Sequence, residues 1–186
     1  MRINRAFKTR RRLPGLFRRL LAGILLALGS TAAMAIDEDA MKGAYIHRIM
    51  KFVEWPGEVL DSANGRLYFC VLGEERLHAL TEALDQKTAN NRAIEVVNMT
   101  RKDGKSCDAI FVGASEAWRL KSLLAETAGR PILTIGETDN FAEGGGMIEF
   151  IFDGNRLGFE INNGAAARAK LSISAQLLLL AKTVYK

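Results

Sequence analysis

Residues 107–120 read CDAIFVGASEAWRL, and this segment decides the fold. The apolar run AIFV, residues 109–112, has the length of a buried strand, and Gly113 follows it as a turn residue. A helical pattern then occupies residues 115–128. Strand, turn and helix in this order are typical of a parallel sheet that carries helices on its faces.

The same alternation of strand and helix extends toward both termini. Apolar runs of strand character occur at LYFCVL, IEVV and ILTI, which are residues 67–72, 94–97 and 132–135. A helical pattern occupies residues 75–85, and an earlier amphipathic helix ends at KFVEWP, residues 51–56, where Pro56 prevents its continuation. We therefore predict an α/β fold with a mostly parallel sheet and helices on both faces.

The pattern changes toward the C-terminus. MIEFIF and RLGFEI, residues 147–152 and 156–161, are joined by Asp153-Gly154-Asn155, a turn signal that predicts a C-terminal antiparallel hairpin. Final helices are predicted at residues 163–170 and 174–185, the latter as a buried helix. The sheet should therefore be mixed, within a single domain.

The first 35 residues have the zones of a secretory signal peptide: a basic run, a short apolar run and small residues ending at Ala35. We expect cleavage between Ala35 and Ile36, with an uncleaved anchor as the alternative. Residues 36–186 would then form one exported domain that does not span the membrane. Eight of the 26 Lys and Arg, and none of the 21 Asp and Glu, precede Ile36. The exported part thus has 18 basic and 21 acidic residues, a net charge of −3, which argues against a nucleic-acid partner.

Glycine follows three of the predicted strands, at Gly73, Gly113 and Gly136. In an open parallel sheet such turns line the crevice where ligands bind. Acidic residues follow these glycines, however, and no phosphate-binding glycine motif is present, so we interpret them as turn and cap residues.

Ser115 lies between strand and helix, as a hydrolase nucleophile does. The only histidines, His47 and His78, both precede it, which is the wrong order for that type of triad. We therefore interpret Ser115 as the N-cap of its helix. The histidines and cysteines have no metal-ligand spacing, and we predict no catalytic residue, metal or cofactor.

Cys70 and Cys107 are the only cysteines, one within the first predicted strand and one just before the third. In an exported protein such cysteines form a disulfide more often than they remain two buried thiols. Neighbouring strands could bring them within bonding distance.

Seven stretches in the same order and spacing resemble the YfiR-like periplasmic proteins: KFVEWP, LYFCVLG, CDAIFVGASEAWRL, RPILTIGE, FAEGGGMIEF, GNRLGFEIN and LSISAQLLLLAK. The resemblance covers residues 41–182. It implies a repressor rather than an enzyme, one that binds the periplasmic domain of an inner-membrane diguanylate cyclase resembling YfiN and holds it inactive. It also implies a homodimer, and an outer-membrane lipoprotein resembling YfiB as a further partner.

Cys70 and Cys107 match the pair that is common in this family. A second pair would fall near GGGMIEF, where this chain has no cysteine. A second redox-active pair is therefore not expected, and the membrane partner could differ from that of YfiR itself.

Five residues are our candidates for partner binding. Phe52 and Val53 lie on the apolar stripe of the first helix and are expected in the core. Trp55 could fix that helix to the sheet or offer an edge to a partner. The candidate partner-binding residues are Glu54, Trp55, Pro56, Glu160 and Arg168.

Glu160 and Arg168 could form a partner-facing pair or an ordinary surface salt bridge, whereas Asn162 is expected to cap the helix that follows it. The rival function is a periplasmic small-molecule-binding module that uses the crevice near Gly73, Gly113 and Gly136. An exposed apolar patch would favour the repressor, and a deep pocket lined by aromatic side chains would favour the binding module.

Overall fold

The computed structural model describes residues 38–57, 65–84, 86–101, 106–153 and 156–186. The predicted signal peptide and the cleavage point before Ile36 lie outside these ranges, as do Gly154 and Asn155 of the predicted hairpin turn. Within these ranges, no helix combines the length and apolar character needed to cross a bilayer.

Helices and strands alternate through the first two thirds of the domain. The α-helices are α1 (Glu38–Lys51), α2 (Glu74–Leu84), α3 (Leu120–Thr127), α4 (Asn163–Arg168) and α5 (Ala175–Leu178). The strands are β1 (Val53–Glu54), β2 (Arg66–Leu72), β3 (Thr88–Ala89), β4 (Arg92–Asn98), β5 (Ala109–Val112), β6 (Leu133–Gly136), β7 (Ile148–Asp153), β8 (Arg156–Asn162), β9 (Ser172–Ile173) and β10 (Val184–Tyr185).

The described strands form an eight-stranded sheet in the order β10-β8-β7-β6-β5-β2-β4-β3, and β1 pairs separately with β9. Strands β4, β2, β5, β6 and β7 are mutually parallel, and β7 and β8 form the antiparallel hairpin. The predicted mixed, mostly parallel α/β sheet is thereby confirmed.

The two faces of the sheet carry separate apolar clusters, as the alternation of side chains along a strand requires. On β2, Phe69 packs in the cluster that contains Ile46 and Met50 of α1, whereas Cys70 packs in the cluster that contains Leu123 of α3. Helices therefore cover both faces, as predicted.

The C-terminal segment differs from its prediction. Instead of a helix over residues 174–185, only Ala175–Leu178 are α-helical, and Val184–Tyr185 form an edge strand parallel to β8. The prediction was wrong because the backbone of this segment bonds to distant elements: Ser174 N donates to Phe52 O, and Lys182 N donates to Phe159 O.

The first helix ends earlier than predicted. It stops at Lys51, five residues before Pro56, because Val53 and Glu54 pair with Ile173 and Ser172. The helix predicted after β5 begins as a 3₁₀ helix, Ala114–Arg119, and becomes α-helical at Leu120.

Cys70 and Cys107 form the predicted disulfide, with Cα atoms 5.7 Å apart. It links β2 to the residues that enter β5, so it joins two neighbouring central strands across a sequence separation of 37 residues.

We expect replacement of Cys70 and Cys107 by serine to lower the free energy of unfolding by about 2 to 5 kcal/mol, because the unfolded chain regains the entropy that the cross-link removes. Urea unfolding of the oxidised protein, the reduced protein and the double variant measures the loss. Two free thiols in the denatured, unreduced wild-type protein would contradict the disulfide.

Candidate functional site

Trp55 is a core residue of the folded chain. It is 4% exposed, and its indole Nε1 donates a hydrogen bond to Asp108 O at 3.0 Å. Asp108 immediately precedes β5, so the indole fixes the segment after α1 to the start of a central strand. Beside it, Glu54 is exposed and Pro56 half-buried.

Glu160 holds the end of the chain. Its carboxylate accepts hydrogen bonds from the Thr183 hydroxyl and the Tyr185 hydroxyl, both at 2.9 Å. The hydrogen bond to Glu160 raises the pKa of Tyr185. Arg168, at the end of α4, is exposed and is not among the ion-pair partners of Glu160 within the described ranges.

The candidate residues form two groups: residues 54–56, and Glu160 with Arg168. These groups lie at opposite ends of one segment, residues 171–186, which we call the C-terminal tail. At its start, Ser172 pairs with Glu54. At its end, Lys186 lies against Gly164, where a Cβ would stand 2.6 Å from the Lys186 carbonyl carbon. The structure thus connects the candidate groups through the tail without bringing their side chains together.

An open groove lies between α1, β8 and the tail, with a volume of about 340 Å³. We call it the apolar groove. Arg48 is the only charged residue among the described residues that line it. The lining residues are Ala44, Tyr45, Arg48, Ile49, Leu157, Gly158, Phe159, Leu177 and Leu180.

Two adjacent leucines of the tail are exposed to solvent. Leu180 is 64% exposed and forms one wall of the apolar groove. Leu179 is 85% exposed and does not line it. Contiguous exposed apolar surface, rather than a single exposed side chain, marks interaction sites, and here Leu180 continues the apolar lining of the groove to the surface.

The crevice at the carboxyl ends of the central strands contains the protein's own carboxylates. Glu137 Oε1 accepts from Ala114 N at 3.0 Å, and Glu75 Oε1 accepts from Ser115 Oγ at 2.6 Å. Ser115 was predicted to be an N-cap, but Gly113 occupies that position without a side-chain cap. The prediction was wrong because the helix starts at Ala114, two residues earlier than a helix capped by Ser115 would, and Glu75 accepts from the serine hydroxyl.

A buried ion cluster holds α1 to this crevice. The Lys42 side chain is 1% exposed and pairs with Glu137, whose side chain is 6% exposed. Arg76 of α2 pairs with Glu137 and with Asp39. Burial alone would raise the pKa of Glu137, but the hydrogen bonds from Lys42 and Ala114 N and the charges of Lys42 and Arg76 outweigh it, so this pKa is lowered.

The lowered pKa of Glu137 predicts a pH-dependent stability. The stability that ionised Glu137 contributes is fully present above pH 4.5, the ordinary pKa of a glutamate. It is lost as the pH falls below 4.5 and through the lowered pKa of Glu137 in the folded protein. We expect Glu137→Gln to be less stable than wild type at pH 7, and the difference to shrink as the pH falls below 4.5. Thermal unfolding of both proteins from pH 7 to pH 3 measures this. A difference that stays constant over that range would contradict the assignment.

The apolar groove and the buried Lys42 are not among the features that the sequence predicts. The predicted buried helix includes residues 177–180, but four successive leucines cannot all lie on one helical face. The spacing of these leucines therefore indicates that at least one of them is exposed. Nothing in the sequence around Lys42 distinguishes it from a surface lysine.

Asn162 was expected to cap the helix that follows it, and this is confirmed: its side chain accepts a hydrogen bond from Ala165 N at 2.8 Å and caps α4. The model of the YfiR/HmsC-like family matches residues 39–182, which include α1 except its first residue and most of the tail. No curated protein matches the chain.

Proposed function

Because this chain belongs to the YfiR/HmsC-like family, we propose that it is a periplasmic repressor of an inner-membrane diguanylate cyclase. The family indicates a periplasmic regulator in cyclic di-GMP signalling and is not known as catalytic. Under the proposal the exported chain binds the periplasmic domain of the cyclase, holds the enzyme inactive and lowers cyclic di-GMP. The signal peptide, residues 1–35, delivers it to that compartment.

The observation that supports a protein partner is the apolar groove with its exposed wall, Leu180. Pockets for small molecules usually combine apolar walls with several convergent polar groups. The groove is open and offers a single charged side chain, Arg48, among its described lining residues. Its chemistry therefore suits the side chains of a protein better than a polar metabolite, which favours the repressor over the small-molecule module.

Binding can hold a cyclase inactive only through a difference in affinity. A repressor shifts the cyclase toward its inactive conformation by no more than the difference between its binding free energies for the two conformations. A lipoprotein resembling YfiB would release the cyclase by binding the repressor and lowering its free concentration. We include this lipoprotein and a homodimer in the proposal as the partners that family membership suggests.

The five candidate residues have different roles in the proposal. Exposed Glu54 and Arg168 would make polar contacts at the rim, and half-buried Pro56 would contact the partner with its ring edge. Buried Trp55 would act by holding Glu54 and Pro56 in place. Glu160 would act by holding the tail, and hence Leu180, in its position.

Deleting this chain should raise cellular cyclic di-GMP and surface attachment, but only in cells that express the target cyclase. A repressor has no effect in the absence of its target, so deletion of the cyclase as well should restore the low level. Cyclic di-GMP measured in the single and double deletion strains tests this. An unchanged level in the single deletion, with the cyclase confirmed to be expressed, would support the small-molecule module instead.

A further inference from the structure

The outer edge of β8 is only partly covered by the tail. Ile161 N donates to Thr183 O, and Lys182 N donates to Phe159 O, both at 2.9 Å. β10 pairs with β8 only at Ile161 and Asn162. Among the strands that the structure describes, the tail therefore covers the C-terminal end of β8, and none pairs with the beginning of the strand, Arg156 to Gly158, on that side.

The backbone of Leu157 faces this open edge. Along a strand, the N–H and C=O groups of alternate residues point to the same side. Asn162 N donates inward to Met147 O, and Ile161 N donates outward to the tail. Leu157 is four residues before Ile161, so its amide and carbonyl also point outward. Within the described ranges, no backbone or side-chain hydrogen bond reaches these two groups from that side.

The open edge and the apolar groove are continuous, because Leu157, Gly158 and Phe159 of β8 line the groove together with Leu180 of the tail. A strand that paired with Leu157 would therefore place alternate side chains in the groove. Leu157 is 6% exposed, but its outward backbone groups are unpaired within the described part of the chain. An unpaired strand edge is a template for pairing with another chain, and adding a strand is an established way to bind an extended peptide.

We propose that the apolar groove binds an extended segment of the cyclase's periplasmic domain, which adds to the outer edge of β8 beside Leu157. This rests on the proposed function, since the occupant is taken to be the protein partner. The segment has apolar residues at alternate positions, which enter the groove, and an acidic residue that meets Arg48. The charge follows from complementarity, because Arg48 is the only charged residue among the described lining residues.

The paired stretch is short, and this determines where the affinity comes from. Three strand residues span about 10 Å, and the amide and carbonyl of Leu157 supply two backbone hydrogen bonds. Side chains in the groove therefore contribute most of the affinity, and the backbone pairing sets orientation and register. A helix in the groove would leave both groups of Leu157 unpaired with the partner.

A random peptide library displayed on phage tests this without knowledge of the partner. The exported protein, with the Cys70–Cys107 disulfide intact, is immobilised and the library is selected on it. We expect enriched peptides to repeat apolar residues at every second position and to contain Asp or Glu. Apolar residues at helical spacing, or no enrichment above background, would overturn the proposal.

Two variants and a matched control locate the binding. Leu180→Asp should weaken the selected peptides at least tenfold, and Leu179→Asp, its exposed neighbour outside the groove, should change affinity less than twofold. Arg48→Glu should shift the selected charge from acidic to basic. Equal effects of Leu179→Asp and Leu180→Asp, or an unchanged charge preference, would contradict the proposed geometry.

Amide exchange measured by NMR tests the backbone pairing itself. A bound peptide should slow exchange of the Leu157 amide at least tenfold, because that amide becomes hydrogen-bonded. Exchange that is unchanged in the saturated complex would refute strand addition.

Failure of this inference is distinguishable from failure of the proposed function. If peptides bind as strands but cyclic di-GMP does not respond to deletion, the repressor function is wrong and the binding mode stands. If cyclic di-GMP responds but the peptides have helical spacing, the repressor function stands and strand addition is wrong.

Discussion

Leu180→Asp is expected to release the cyclase almost as fully as deletion of the whole chain. The substitution removes an apolar wall of the groove and places a carboxylate where the bound partner would exclude water. Such a change at the centre of an interface weakens binding by about 2 to 5 kcal/mol, or roughly 30-fold to several thousandfold in affinity. Cyclic di-GMP in cells that express the variant, and the affinity of the purified variant for the periplasmic domain of the cyclase, measure the effect.

The control for this variant is Leu179→Asp, because it introduces the same charge at the next residue outside the groove. Both leucines are exposed, so both variants should remain folded, with stability changes within about 0.5 kcal/mol. Repression by Leu180→Asp at wild-type strength would exclude the groove as the partner site. Equal loss with both variants would mean that a broader surface of the tail is involved.

Lys42→Met is expected to have the largest effect on stability of any single substitution considered. It removes the charge that pairs with buried Glu137 and leaves that carboxylate with Arg76 and the Ala114 amide. Breaking a buried ion pair from one side costs about 3 to 5 kcal/mol. We expect about 3 kcal/mol here, since partners of Glu137 remain, and a decrease in Tm of roughly 6 to 12 °C for a domain of this size.

A double-mutant cycle separates the ion pair from the packing of the lysine chain. Adding Glu137→Gln to Lys42→Met should recover part of the lost stability, because the buried carboxylate is then neutral. Thermal unfolding of the wild type, both single variants and the double variant provides the coupling energy. Additive losses in the double variant would show that Lys42 and Glu137 do not act as a pair.

Strands β2, β5 and β6 could be predicted because each contains a short apolar run that is followed by a glycine. AIFV matches β5 residue for residue, and LYFCVL differs from β2 only by the added Arg66. The hairpin of β7 and β8 was equally accessible, because both strands are rich in β-formers and a turn signal joins them. In these segments local preference and tertiary structure agree.

The ends of α1 and of the chain could not be predicted, because distant contacts determine them. Val53 and Glu54 leave the helical pattern to pair with Ile173 and Ser172, about 120 residues later in the sequence. The tail, a helix by composition, instead uses its backbone groups on Phe52 and on the edge of β8. Such pairings leave no periodic signal in the local sequence.

For the site, the sequence identified residues but not the surface that they surround. Glu54 and Glu160 were selected as direct contacts, yet one pairs through its backbone with the start of the tail and the other holds its end. The groove between them is formed by α1, β8 and the tail together, and only the folded chain places these three elements side by side. Residue roles at such a surface depend on tertiary neighbours, which a single sequence does not specify.

The most direct test of the repressor function is cyclase activity in a reconstituted system. The full-length membrane cyclase is placed in lipid nanodiscs, which leave both faces accessible, and is titrated with the purified exported chain. We predict saturable inhibition of cyclic di-GMP synthesis by the wild-type protein and by Leu179→Asp, and little or none by Leu180→Asp at the same concentrations. Undiminished synthesis at saturating wild-type protein, with the cyclase active and the chain folded, would contradict the repressor function.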